Sequence, residues 1–168
     1  MTVQPFDPER LLTVLIGHDV EFVLIGAMAA RLHGFPRITA DADITPARSH
    51  ANLERLASAL RVLDARIYTE AFPEGISFDV SAKSLDRAEI WNLVTSAGRL
   101  DLVFTPAGTT GYADLAEGAA LFHVFGSTLR AASLEDILRS KEAADRPRDR
   151  QDATVIREMI RRANDGRT

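Results

Sequence analysis

The stretch RITADADIT, residues 37–45, alternates strictly between polar and aliphatic side chains. A period of two is typical of a β-strand that buries one face and leaves the other polar. In such a strand Asp41 and Asp43 share the polar face, with backbone positions about 7 Å apart. Two ionised carboxylates at that separation repel each other unless a cation or solvent screens them. The strand therefore constrains both the fold and the chemistry of the chain, because its acidic pair needs a partner.

Helix and strand signals are mixed along the rest of the chain. The apolar run FVLIG, residues 22–26, predicts a buried strand, and two strand pairs are predicted around Gly98 and Gly126. Capping residues and apolar spacings of three and four predict helices. These helices follow Asp7, Gly26, Ser49 and Ser133, and the last one spans about residues 150–162 after an interruption at Pro147. The pattern predicts an α/β (α+β) fold, a mixed β-sheet flanked by helices with a helical C-terminal segment.

Composition limits the classes of protein that the chain can belong to. Its 168 residues suit one domain, with a sheet core over residues 22–132 and C-terminal helices over 133–168. The absence of cysteine excludes disulfides and thiolate chemistry, and a net charge of −4 gives no strong footprint for non-specific nucleic-acid binding. No apolar run approaches the roughly 20 residues of a membrane helix, and no secretory signal pattern is recognisable. We therefore expect a cytoplasmic protein without membrane contact.

Three interpretations of Asp41 and Asp43 compete. The first is a solvated outer strand face, which is the ordinary reason for alternation. The second is a phosphatase site of the haloacid dehalogenase type, because DADIT fits D-x-D-x-T. That interpretation is disfavoured, since the preceding FPRITA is not strongly apolar and no Gly-Asp or Asp-Asp pair follows. The third is a Mg²⁺ site for phosphoryl or nucleotidyl transfer, because Mg²⁺ is commonly held by one or two carboxylates together with substrate phosphates.

The magnesium interpretation predicts three further features, and the sequence has a candidate for each. A phosphate-holding turn is predicted at Gly26 and Ala27, where a strand ends and a helix begins. A third carboxylate is predicted at Asp101, which lies among leucines, with Asp79 as its rival. A cation for the triphosphate is predicted at Lys141, followed by Arg146. His33, by contrast, is expected to pack in the structure and to have no catalytic role.

At these residues the chain resembles the nucleotidyltransferase superfamily of DNA polymerase β-like fold. The first motif is GAMAARLHGFPRITADADI, residues 26–44, in which a turn, a helix and an Asp-x-Asp strand follow one another. The branch that it resembles is the small bacterial proteins related to AbiEii-type toxins. TSAGRLDLVFTPAGTTGYADL, residues 95–115, is similar to the second motif of that branch and favours Asp101 over Asp79. SLEDILRSKEAADRPRDRQDA, residues 133–153, is similar to its C-terminal segment and contains Asp152.

The resemblance implies a nucleotidyltransferase-like fold and an assignment of residues. Asp41, Asp43 and Asp101 would be the catalytic, metal-binding carboxylates for Mg²⁺ or Mn²⁺, and Asp101 would also accept the proton of the attacking hydroxyl. The remaining site residues would contact the nucleotide phosphates or brace the carboxylates. They are Gly26, Ala27, Arg37, Thr39, Lys141 and Arg146.

The implied activity is transfer of a nucleoside monophosphate from a nucleoside triphosphate to a hydroxyl acceptor. By resemblance the acceptor would be RNA, such as a tRNA end, or protein, in a toxin–antitoxin setting with a cognate antitoxin as partner. An antibiotic-type small molecule is the less favoured acceptor. The alternative is a protein of the same fold that binds a nucleotide or a partner protein without turnover. Ala27 favours that alternative, because the family usually has Gly or Ser at the second turn position.

Overall fold

The computed structural model describes residues 4–167, which form seven strands and seven helices. The strands are β1 (Phe22–Ile25), β2 (Asp41–Pro46), β3 (Arg66–Ile67), β4 (Ile90–Thr95), β5 (Gly98–Val103), β6 (Ala120–Val124) and β7 (Ser127–Ala131). They make one mixed sheet in the order β3-β4-β5-β2-β1-β7-β6. Strand β2 is central, antiparallel to β1 and parallel to β5. The acidic strand therefore has a neighbour on each side.

Capping side chains begin three of the helices where the sequence predicts them. The helices are α1 (Pro8–Gly17), α2 (Gly26–Leu32), α3 (His50–Val62), α4 (Ala82–Leu85), α5 (Tyr112–Gly118), α6 (Leu134–Ala144) and α7 (Pro147–Asp165). Asp7, Ser49 and Ser133 each accept a hydrogen bond from a backbone N–H in the first turn of their helix. The predicted mixed sheet flanked by helices, with a helical C-terminal segment, is confirmed.

The alternation in β2 separates a buried face from a polar one. The even-numbered aliphatic residues of β2 and β5 have no exposed surface and join one core cluster with leucines of α1 and α3. The aliphatic residues on this face are Ala42, Ile44, Leu100 and Leu102. The odd-numbered Asp41, Asp43 and Asp101 are only partly buried and lie on the opposite face. Burial of one face thus fixes the register that brings the acidic side chains to the other.

The strand prediction was wrong for Arg37–Ala40, which form an irregular segment before β2. Pro36 has no N–H to donate to a strand ladder, and the carbonyl of Arg37 accepts a hydrogen bond from Arg31 Nη1 at 3.1 Å. Ile38 has 84% of its surface exposed, so the aliphatic position that the alternation assigns to the core is in solvent. Arg37 and Thr39 therefore do not share a strand face with the aspartates.

The predicted start of the last helix was also wrong. Helix α7 begins at Pro147 and not near residue 150, with Arg146 as its N-cap. Proline fits the first helical position because the N–H that it lacks would have no partner within the helix. Pro147 thus separates α6 from α7 by starting the second helix. None of the helices within residues 4–167 combines the length and apolar character needed to cross a lipid bilayer.

Candidate active site

Three aspartates meet on the polar face of the sheet. In the register of the parallel pair, Asp43 lies beside Asp101 and Asp41 lies beside Arg99. Neighbouring strands are about 5 Å apart, so Asp43 and Asp101 are in adjacent backbone positions. All three aspartates line a cleft of about 790 Å³ between the sheet and α6 and α7. The rival Asp79 instead accepts hydrogen bonds from Ser81 and Ser84, at 2.6 and 2.8 Å, and does not line the cleft.

The carboxylates of the cleft repel one another. Burial, followed by the charges of Asp41 and Asp101, raises the pKa of Asp43 to about 7, against the opposing effects of Lys141 and Arg99. Burial also raises the pKa of Asp101, although Arg99 partly offsets this. A carboxylate with a pKa near 7 exchanges its proton easily for a cation at neutral pH. The electrostatics of the cleft therefore favour a bound positive charge.

Gly26 allows the turn after β1 to pack directly against Asp43. Its φ of +66° lies in the left-handed region, and a Cβ at this position would be 2.5 Å from Asp43 Oδ2. Any side chain at position 26 would displace the carboxylate, so glycine is required both by backbone conformation and by space. Ala27 follows it in the first turn of α2 and also lines the cleft.

Two of the three carboxylates already have partners. Thr39 Oγ1 donates to Asp41 Oδ1 at 2.9 Å, and Arg99 Nη2 donates to Asp101 Oδ1 at 3.3 Å. The guanidinium of Arg99 also lies 3.5 Å from the ring centroid of Tyr68. Within residues 4–167 no three His, Asp or Glu side chains are arranged ready to hold a metal ion. Arg99 thus contacts one of the two carboxylate oxygens of Asp101.

Sequence reasoning missed Arg99, although a signal was present. Residues two apart in a strand share a face, so the Arg-x-Asp of RLD places a cation beside Asp101. The structure shows that the guanidinium partly balances the acidic group from the side of β4 and β5.

Lys141 extends from α6 and lines the side of the cleft opposite the sheet. Its Nζ lies 3.0 Å from Asp152 Oδ2 and 3.5 Å from Asp149 Oδ1. Its charge is close enough to Asp43 to lower the pKa of that carboxyl. The cation that the sequence predicts for the triphosphate is therefore at the cleft, held by two carboxylates of α7.

Arginines from two segments complete this charged corner. Arg146 Nε lies 2.6 Å from Asp149 Oδ2, and Arg37 Nη2 lies 2.6 Å from Asp152 Oδ1. Burial opposes the ionised form of Asp149, but Arg146 outweighs it, with help from Lys141, and holds the pKa of Asp149 below its usual range. Arg37 thus contacts α7.

The exposed Arg148 also lines the cleft and was missed in the sequence. So was the role of Asp149, although its spacing of three from Asp152 on a helix places both on one face. The cleft also has apolar lining residues, and Asn92 lies beside Asp101 in the β4–β5 register. The apolar lining there comes from Ile90, Val103, Pro106, Ala107 and Leu115.

His33 lies outside the cleft lining and makes packing contacts. Its Nε2 donates to the carbonyl oxygen of Ala132 at 2.9 Å, and its ring meets Phe122 edge-on with centroids 5.1 Å apart. These contacts tie the end of α2 to the β6–β7 hairpin, which agrees with the packing role predicted for His33.

Similarity to known proteins was found in the fold and not in the sequence. Searches against protein-family models and curated proteins found no match to the chain. Among solved structures, the fold is similar to that of the lincosamide antibiotic adenylyltransferase LnuA in its lincomycin-bound crystal structure. The TM-score is 0.59 and the identity 13%, over 93% of this chain and 99% of that one. At this identity the likeness shows the fold alone, and the chain has the nucleotidyltransferase-like fold that its sequence predicts.

Proposed function

We propose that the chain is a metal-dependent nucleotidyltransferase. It would bind a nucleoside triphosphate and transfer the nucleoside monophosphate to a hydroxyl acceptor. The observation that carries the proposal is the position of Asp41, Asp43 and Asp101 on one face of adjacent parallel strands, in a cleft closed on another side by Lys141. A solvated strand face needs no such cleft, and its carboxylates would not be driven towards the neutral form by burial.

The residues present fit a hard divalent cation. Carboxylate oxygens are the ligands that Mg²⁺ and Mn²⁺ prefer, and Asp41, Asp43 and Asp101 would hold the metal. The raised pKa of Asp43 supports this, because a cation relieves the repulsion among the three charges. When bound, the metal would neutralise charge on the phosphates and polarise the reacting oxygens.

The transfer step needs an acceptor for one proton and a path for one leaving group. The oxygen of the acceptor hydroxyl forms a bond to the α-phosphorus, and the bond from that phosphorus to the bridging oxygen breaks. Pyrophosphate leaves with the bonding electron pair, and the hydroxyl proton passes to Asp101. Burial raises the pKa of Asp101, which makes it a better proton acceptor than an ordinary surface aspartate.

The charges of the cleft orient the triphosphate. Lys141, Arg146 and Arg148 line the cleft together with Asp149 and Asp152. Arg37, outside this lining, pairs with Asp152, so four positive charges minus two negative ones leave an excess of two. Pyrophosphate would lie in this corner, since its charge is complementary. The apolar part of the cleft lining then remains for the base or the acceptor.

The class of acceptor is inferred from the sequence motifs. The motifs resemble toxin relatives that modify RNA or protein, and an antitoxin would then be the partner. The solved structure of similar fold is named for transfer to a lincosamide antibiotic. We propose RNA or protein as the acceptor, on the strength of the motif resemblance alone.

A second candidate is nucleotide binding without turnover. Ala27 provides no hydroxyl to the phosphate turn, and Arg99 donates to one oxygen of Asp101. Both features favour a site that holds a nucleotide and does not transfer it.

Transfer is tested with α-³²P-labelled nucleoside triphosphates, Mg²⁺, and cell RNA or cell protein, with an aminoglycoside and a lincosamide in separate reactions. We expect label in a macromolecular fraction with wild type and none with Asp41→Ala. Asp79→Ala makes the same substitution at an aspartate outside the cleft, and this variant should label acceptors as wild type does. Binding of nucleotide with no label in any acceptor would establish the second candidate, and label in the antibiotics alone would replace the acceptor class.

A further inference from the structure

We propose that Asp152 is a positioning residue that fixes the ammonium of Lys141 for the triphosphate, an inference that rests on the proposed nucleotidyl transfer. Asp152 would touch neither nucleotide nor metal. It would act by holding the Lys141 ammonium against α7 and away from the three aspartates of β2 and β5.

Asp152 joins three parts of the molecule. One carboxylate oxygen lies 3.0 Å from Lys141 Nζ on α6, and the other lies 2.6 Å from Arg37 Nη2 in the segment before β2. Its side chain is only 4% exposed, although it is charged and belongs to the first half of α7. A single buried carboxylate therefore sets the distance between two cations from remote parts of the chain.

Burial of this carboxylate is not explained by stability. Taking a charge out of water costs several kcal/mol, and well-packed apolar residues often do as well as a buried ion pair. What a buried, hydrogen-bonded partner does provide is a fixed position for a flexible side chain. Lysine has four rotatable bonds and loses substantial rotamer entropy when it is ordered.

The alternative partner of Lys141 is close by. Lys141 already lowers the pKa of Asp43, so the ammonium lies within the electrostatic reach of the three aspartates. Without Asp152, it would be drawn towards that acidic group and would compete there with a divalent cation. With Asp152, and with Asp149 at 3.5 Å, the ammonium stays in the corner where Arg146 and Arg148 also face the cleft.

The test measures nucleotide affinity, so it needs no acceptor. The dissociation constants of the four α,β-methylene nucleoside triphosphates with Mg²⁺ are measured by calorimetry for wild type, Asp152→Asn, Lys141→Gln and the double variant. Asp145→Asn is the matched control. Asp145 ends α6, its side chain is 64% exposed, and it pairs with Arg150 at 2.7 Å. Asparagine tolerates its φ of 51°.

We expect Asp152→Asn to weaken binding about tenfold, the size of one charge-assisted hydrogen bond to a phosphate. Lys141→Gln should weaken binding by at least as much, and the double variant should be no worse than Lys141→Gln, because Asp152 acts through Lys141. Asp145→Asn should bind like wild type. Thermal melting of each variant separates a change in affinity from a change in folding.

Two results would overturn the inference. One is wild-type affinity in a folded Asp152→Asn variant. The other is losses that multiply in the double variant, since these would show that Asp152 acts independently of Lys141. If Asp152→Asn does not fold, Asp152→Glu keeps the charge and moves it by one methylene; wild-type affinity in that variant would also overturn the inference. Failure of wild type to bind any of the four analogues would instead reject the proposed function itself.

Discussion

At the scale of single residues, Asp43 is the most constrained side chain of the site. It lies between Asp41 and Asp101, and the backbone of Gly26 closes against one of its oxygens. The glycine has space for that oxygen only because it lacks a Cβ. Burial of this side chain, together with the charges of Asp41 and Asp101, disfavours the ionised form and raises the pKa of Asp43.

The raised pKa predicts how stability changes with pH. Between its usual value of 3.8 and about 7, Asp43 holds a proton in the folded protein but not in the unfolded chain. The unfolded chain binds fewer protons in this range, so the contribution of Asp43 to the free energy of unfolding falls as pH rises and then levels off above about 7. Asp43→Asn removes the titrating group and resembles its protonated form.

We therefore expect Asp43→Asn to match wild type in stability near pH 4 and to exceed it at pH 8. The difference should grow by up to about 1.4 kcal/mol per pH unit over the range between. Urea denaturation of both proteins, without divalent metal, at pH 4.5, 6 and 8 measures it. A difference that is independent of pH would show that Asp43 is not perturbed by its neighbours.

At the scale of secondary-structure elements, β2 shows how far a sequence pattern reaches. The alternation is uniform from residue 37 to residue 45, but only Asp41–Pro46 form a strand. Pro36 and the side-chain contacts of Arg31 and Thr39 remove the preceding residues from the ladder. The pattern identifies which residues are aliphatic, whereas pairing with β1 and β5 decides which of them are covered.

This difference predicts unequal effects for two isoleucines of the same stretch. Ile44 has no exposed surface, so Ile44→Ala should cost about 2–5 kcal/mol of unfolding free energy through lost burial and a cavity. Ile38 is 84% exposed, and Ile38→Ala should change the stability by less than about 0.5 kcal/mol. Chemical denaturation of both variants measures the contrast, and equal losses would mean that residues 37–40 pack like a strand.

At the scale of the whole molecule, the cleft is assembled from distant segments. The sheet contributes the carboxylates, the turn at Gly26 closes against them, and the α6–α7 corner contributes the cations. The ion pair between Arg37 and Asp152, for example, joins residues that are 115 positions apart in the sequence. A ligand that contacts all of these parts would bind only the folded chain and would stabilise it.

We expect Mg²⁺ and a non-hydrolysable nucleoside triphosphate together to raise the melting temperature of wild type. At a hundredfold excess over the dissociation constant, the gain is about 2.7 kcal/mol, which corresponds to roughly 5–10 °C for a domain of this size. Thermal melting with each ligand alone and with both measures the shift. Asp43→Ala should lose the joint shift and Asp79→Ala should keep it; equal shifts in both variants would place the nucleotide outside the cleft.

Much of the fold could be predicted from local signals. The caps at Asp7, Ser49 and Ser133 and the turns at Gly98 and Gly126 act over a few residues, so the sequence shows them directly. The order of the strands in the sheet could not be predicted in this way. It depends on which apolar faces pack together, and the chain separation of two strands says little about that.

The sequence by itself determined the types of residue that the site contains: an acidic pair in extended chain, a third carboxylate among leucines, a glycine at the end of a strand and a lysine on a helix. Only the tertiary structure decided that Arg99 holds Asp101, that Asp149 and Asp152 hold Lys141, and that Arg37 belongs to this second group. The physical reason is distance. Charge and backbone preference are properties of one residue and its chain neighbours, whereas an ion pair forms between side chains that only the packed sheet and helices bring within 4 Å.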